Sequence, residues 1–228
     1  MATTEKETYN EVGEVEVLVS RVEMFIEENS KKIVSGIIAV VVVVGAVLGI
    51  EYGYLIPREH KAAAAMFKGE QYFAMDSFAL ALNGNGADYV GFESIIDEYG
   101  STDAGNLAKA YAGICYFRMG EAEKAISYLK SFSGDDTMIS PAIVGLIGDC
   151  YVNMGNVKEG VSYFEKAAKA ADNEVVSPVY LKKAGLAYEN LKEYDKAVQA
   201  YKSIKEKYYN SMEASDIDKY ITRAAAAK

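Results

Sequence analysis

Gly113-Ile-Cys-Tyr116, Gly148-Asp-Cys-Tyr151 and Gly185-Leu-Ala-Tyr188 are three copies of one pattern, Gly-x-x-Tyr, set 35 and 37 residues apart. A period in this range is the signature of stacked supersecondary units rather than of one globular core. More positions recur at fixed offsets from each glycine. Twelve residues on stand Ala125, Gly160 and Ala197, and sixteen on stand Leu129, Phe164 and Tyr201. Nineteen on stand Phe132, Ala167 and Ile204, and seven on stand Gly120, Gly155 and Lys192. These offsets describe two helices joined by a tight turn. Gly113 and Tyr116 are i,i+3 and share a helix face. The small residue lets the paired helix approach, Ala125 supplies the matching small contact, and the tyrosine ring fills the gap between pairs. Met119-Gly120-Glu121 and Met154-Gly155-Asn156 form the turns, where glycine can take φ > 0 and end the first helix.

Working outward, composition agrees with an all-α chain. Half of the 228 residues are apolar and only 3 are proline. No alternating Val/Ile strand pattern bounded by turn signals is present. The net charge of −9, with no Lys/Arg cluster, excludes nucleic acid as the main partner. Part of the acidity is local: residues 1–32 hold 8 glutamates against 4 basic residues. The 2 cysteines, Cys115 and Cys150, occupy equivalent places in successive repeats, and Ala187 stands there in the third. They read as small apolar filler. Neighbouring helix axes ~8–10 Å apart disfavour a disulfide between them, since a bridge needs Cα atoms within about 7 Å.

Residues 33–50, IVSGIIAVVVVVGAVLGI, carry no charge. As a helix they span ~27 Å, close to the thickness of a bilayer core. The apolar run resumes after Glu51 as far as Ile56. Lys31 and Lys32 mark one boundary, and Tyr52 and Tyr54 the other. The close-in basic residues favour an inside N-terminus and an outside C-terminal domain. Before the span, Tyr9, Val12, Val15, Leu18, Val19, Val22, Phe25 and Ile26 form the apolar face of a helix whose other face is mostly glutamate. That helix reads either as a protein-docking element or as one lying at the membrane surface.

The repeat pattern resembles the tetratricopeptide repeat. The proline usual at the repeat end is missing, since Thr137, Asp172 and Tyr209 sit there; Pro141 and Pro178 instead open the next first helix. The expected fold is all-α: a single transmembrane helix followed by a tetratricopeptide-like α-solenoid of antiparallel helix pairs. Its parts are a short N-terminal segment (1–32), the transmembrane helix (33–56), a divergent leading pair (57–100), three repeats (101–209) and a capping helix (210–228). The leading pair is expected as a long helix Ala62–Leu82, a turn over Asn83-Gly84-Asn85-Gly86, and a helix Tyr89–Tyr99.

The order of membrane span and repeats also resembles the YfgM-like ancillary proteins of the bacterial Sec translocon. That resemblance implies an inner-membrane location, a cytoplasmic N-terminus and a periplasmic repeat domain. The partners it implies are the translocon, periplasmic chaperones or secretory clients. A cytosol-facing receptor and a cell-envelope regulator or assembly factor are the alternatives.

The sequence holds no nucleophile–base constellation, Walker loop or Cys/His cluster of metal spacing. No catalytic residue, cofactor, metal or small-molecule substrate is expected. By resemblance, the concave groove is lined by Leu107, Ala110, Ile114 and Phe117 in the first repeat. Ala142, Gly145, Asp149 and Val152 follow in the second, and Val179, Lys182, Leu186 and Glu189 in the third. Only Lys182 is basic, which disfavours a carboxylate clamp. The apolar first-repeat residues suit an amphipathic helix or an extended apolar client, or are covered by the leading pair.

Overall fold

The computed structural model describes the backbone of residues 2–227 and the side chains of residues 20–227. The described residues are helical, with no strand among them. They fall into two units, residues 1–57 and 58–228.

In the first unit, α1 (Ala2–Ile50) is followed by a π-helical turn, Glu51–Leu55. Val34 to Ile50 is exposed throughout. This helix is long and apolar enough to cross a membrane. The one hydroxyl of its apolar run, Ser35, donates to the carbonyls of Lys31 and Lys32 at 2.8 and 3.0 Å and so satisfies itself within the helix. Much of the amphipathic stripe read over residues 9–28 lies outside the described side chains.

The second unit is a stack of helix pairs. α2 (Ile56–Ala74) and α3 (Phe78–Asn83) lead it, followed by α4 (Phe92–Tyr99). Three regular pairs come next. These are α5 (Asp103–Arg118) with α6 (Ala122–Ser131), α7 (Ile139–Asn153) with α8 (Val157–Ala171), and α9 (Ser177–Asn190) with α10 (Tyr194–Lys207). A 3-10 turn, Glu213–Asp216, leads into α11 (Ile217–Ala226).

The expected long helix Ala62–Leu82 is in fact broken. Asp76 takes φ 54°, its N–H donates to Phe73 O at 3.0 Å, and the Ser77 N–H donates to Tyr72 O at 2.9 Å. This is a Schellman ending. The same pair of bonds closes α5 at Gly120, α7 at Gly155 and α9 at Lys192. Asp76 therefore marks the end of a first helix, and counting back seven residues reaches Gly69-Glu-Gln-Tyr72, a fourth copy of the motif. Ala81, twelve residues on from Gly69, is fully buried like Ala125 and Ala197. The second helix of this pair stops at Asn83 because a loop is inserted. The side-chain oxygen of Asn85 accepts the N–H groups of Ala87, Asp88 and Tyr89 at 3.0, 3.1 and 3.1 Å and ties that loop. α4 then begins at Phe92, not Tyr89, after Gly91 at φ 92°.

The motif glycines do one job in all four pairs. A Cβ at Gly113 would lie 2.6 Å from Leu129, and one at Gly148 2.7 Å from Phe164. At Gly185 it would run into the Tyr201 ring. At Gly69 it would meet Tyr89 and Phe92, the aromatics that follow the inserted loop. Each motif tyrosine of the regular pairs reaches the pair before it. Tyr116 donates to Glu93 at 2.6 Å, Tyr151 accepts from Lys130 at 3.0 Å, and Tyr188 donates to Glu165 at 2.5 Å. The tyrosine is thus a joint between pairs, and the glycine a joint within one.

Both cysteines are free and fully buried. Burial pushes the Cys115 thiol up to about 12 and the Cys150 thiol to about 11, so neither forms a reactive thiolate near neutrality.

One turn departs from the pattern at a measurable cost. Lys192 holds φ 61° where Gly120 and Gly155 hold 84° and 82°. Lys192→Gly is expected to stabilise the protein by about 0.5–1 kcal/mol, the left-handed penalty of a side chain less the added unfolded-state entropy of glycine. Urea unfolding of the two proteins reads the difference.

Candidate concave groove

The first helices α5, α7 and α9 place their predicted groove residues in four rows. The row formed by Leu107, Ala142 and Val179 is half-buried. In the next row Ala110 and Gly145 are buried, and Gly145 has no room for a side chain because the Tyr180 ring occupies the space. Lys182 ends that row, half-buried. Ile114, Asp149 and Leu186 form the third row, and Phe117, Val152 and Glu189 the fourth. Leu107, Ile114 and Phe117 each keep part of their surface while packing on the core shared with the leading pair. Val152 does the same against the core of the later pairs. Leu186 is the most open of these side chains, 43% exposed.

Charge in the groove is answered from within the chain. Asp149 pairs with Lys183 of the next pair at 2.6 Å. Lys182 pairs with Asp216 at 2.8 Å and lies 4.5 Å from the Tyr220 ring centre. Glu189 accepts the Tyr201 hydroxyl at 2.6 Å and the Arg223 guanidinium through both oxygens, at 2.7 and 2.9 Å. Burial works against the Glu189 carboxylate, but the bonds from Arg223 and Tyr201 outweigh it and hold its pKa below the ordinary glutamate value. Burial likewise works against the Lys182 ammonium, and Asp216 and Tyr220 together outweigh it and raise its pKa. α11 and the turn before it supply Asp216, Tyr220 and Arg223, so the last helix lies where a further repeat would begin, against Lys182 and Glu189 of α9.

Among the described residues, no group of three His, Cys, Asp or Glu side chains could hold a metal ion. A shallow cleft of about 580 Å³ between α8, α9 and α10 includes Glu165, Lys169, Asp172 and Lys207. Its charges are balanced in sign, and Lys207 is taken up by Asp172 at 2.5 Å.

Sequence reading missed three side chains that hold candidate residues Lys182 and Glu189: Asp216, Tyr220 and Arg223. Asp216 and Arg223 stand 34 residues after Lys182 and Glu189, a repeat-length step that could have revealed them. Phe73, four residues after Gly69, holds the place that Phe117 holds after Gly113, and it was hidden with the fourth motif copy.

Comparison with known proteins bears on these pairs directly. The tetratricopeptide repeat family description matches residues 111–134, 142–174 and 181–211. These segments fall on α5–α6, α7–α8 and α9–α10. The chain carries tetratricopeptide repeats. Solved structures agree in fold. The crystal structure of MamA protein is 19% identical with a TM-score of 0.53, covering 73% of this chain and 91% of its own. Nearly identical TPR-like repeats from Podosopora anserina are 12% identical with a TM-score of 0.54, covering 72% of this chain and 85% of theirs. At such identities the likeness is one of fold. No curated protein matches the chain in sequence. Tetratricopeptide arrays are in general scaffolds for protein–protein contact rather than enzymes.

Proposed function

We propose that this protein is a single-span scaffold of the bacterial inner membrane whose tetratricopeptide array receives protein segments in its concave groove. The observation that carries the reading is the internal settlement of the groove's charges. With Asp149, Lys182 and Glu189 each held by a partner in the chain, what is left to offer is apolar: Leu107, Ile114, Phe117, Val152 and Leu186. Such a face suits an amphipathic helix or an extended apolar segment more than a charged peptide terminus. The exposed apolar helix supports the anchor, and Lys31 and Lys32 support a cytoplasmic N-terminus with the repeats in the periplasm. Resemblance to the YfgM-like family supports secretory clients, periplasmic chaperones or the Sec translocon as partners.

The test is photo-crosslinking from position 186 in intact cells. Recovery of secretory or translocon proteins is the expected result, and recovery of cytosolic proteins alone would reverse the topology and sink the translocon reading. Leu186→Glu should cut capture about tenfold while unfolding free energy moves by less than about 0.5 kcal/mol, as for other exposed positions. Undiminished capture would place binding away from the groove.

A further inference from the structure

The stack is closed at one end and open at the other. At the C-terminal end α11 buries Ile217 and Ala224, 1% and 0% exposed, against the last pair. At the N-terminal end the outer face of α2 has no such cover among the described residues. Its position two residues before the motif glycine is Phe67, 61% exposed. In every later pair that position docks on the pair before it. Tyr111 packs against Phe73 and Phe92 with ring centres 4.9 and 5.2 Å apart. Leu146 packs into the preceding core. Lys183 reaches Asp149 at 2.6 Å and lies 5.8 Å from the Phe164 ring centre. Phe67 is therefore the same interface element, continued to the end of the array and left without its counterpart.

The chemistry of this edge points to one occupant. The exposed residues of α2 after Pro57 are His60, Lys61, Ala63, Ala64, Phe67, Gln71 and Ala74, with Met75 just beyond, 63% exposed. The acids nearest them are paired: Asp76, which follows Met75, with Arg118 at 3.4 Å, and Asp88 with Lys68 of α2. The two acids of α2 turn elsewhere: Glu59 accepts the N–H groups of Asp103 and Ala104 at 2.8 and 3.0 Å, and Glu70 is half-buried beside Tyr111, whose pKa burial and then the Glu70 charge raise. On a chain of net charge −9, two copies repel over most approaches, and this edge, whose neighbouring acids are paired within the chain, is one where that repulsion is relieved. Alanines around a central phenylalanine allow close helix approach, and a twofold axis through Phe67 sets ring against ring with alanine and glutamine beside it. We infer that the α2 edge is a homodimer interface, with α2 of one copy packed on α2 of a second.

The test uses the full chain in membranes. Phe67→Cys introduces an exposed thiol, while Cys115 and Cys150 are buried and give little background. Mild oxidation should yield a disulfide-linked homodimer several times more abundant than the same treatment of Glu206→Cys on α10, because a bridge needs Cα atoms within about 7 Å. In detergent, Phe67→Glu should weaken self-association about tenfold or more by sedimentation, with an unchanged unfolding midpoint. A cysteine at 67 that gives no more dimer than the control, or that crosslinks only to a different protein, overturns the inference. So does a Phe67→Glu protein that associates as tightly as the parent.

Discussion

Tyr201→Ala is expected to lower the stability of the repeat domain by about 3–5 kcal/mol, the range for deleting a buried aromatic ring. That is a large share of the roughly 5–15 kcal/mol that holds a typical domain folded. Tyr201 is fully buried. Its ring fills the space that Gly185 leaves open, and it meets Tyr220 of the capping helix at 5.5 Å between centres. Its hydroxyl donates to Glu189. Removal opens a cavity at the joint of α9, α10 and α11 and takes a donor from a half-buried carboxylate. Tyr201→Phe separates the two effects. It keeps the ring and loses only the bond, at a cost of about 1.5–3 kcal/mol for a hydrogen bond to a charged acceptor. Urea unfolding of both variants reads the difference. An alanine variant as stable as the phenylalanine one would show that the ring is not the wedge that glycine 185 makes room for.

Phe92→Ala is the companion test at the other end and should cost about the same, 3–5 kcal/mol. Phe92 is fully buried, stacks on Tyr111 at 5.2 Å, and lies 2.5 Å from where a Cβ on Gly69 would be. It performs for the leading pair what Tyr201 performs for the last. Amide hydrogen exchange should show the loss concentrated in residues 58–100 and in α5, with α9 and α10 spared, because each pair of a solenoid contacts only its neighbours. A uniform loss of protection over residues 58–227 would mean that the leading pair is no separate repeat and that the fourth motif copy is accidental.

These two positions also show what could and could not be read in advance. The register of Tyr201 against Gly185 follows from sequence, since a sixteen-residue offset recurs in three copies and has one meaning, a large side chain facing a missing one. Phe92 obeys the same rule, but the loop tied by Asn85 displaces it from Gly69 by 23 residues. A fixed offset cannot detect an insertion. The turn at Asp76 was hidden for a related reason. Aspartate carries no glycine signal, and only the backbone bonds show that it does what Gly120 does. In the groove, the rows of candidate residues were countable from the repeat. Their exposure was not, because half-burial of Leu107, Ile114 and Phe117 depends on how closely the leading pair lies against α5.

Local pattern by itself determined the helical class, the three regular pairs, the apolar helix over residues 33–50 and the filler role of both cysteines, because each of these is a local pattern repeated or prolonged. Tertiary structure decided the fourth pair, the charge settlement of Lys182 and Glu189 by α11, and the bare edge at Phe67. Those features join residues through space across an insertion or past the last repeat, where no period reaches, and only the packed helices show which side chains have found partners and which have not.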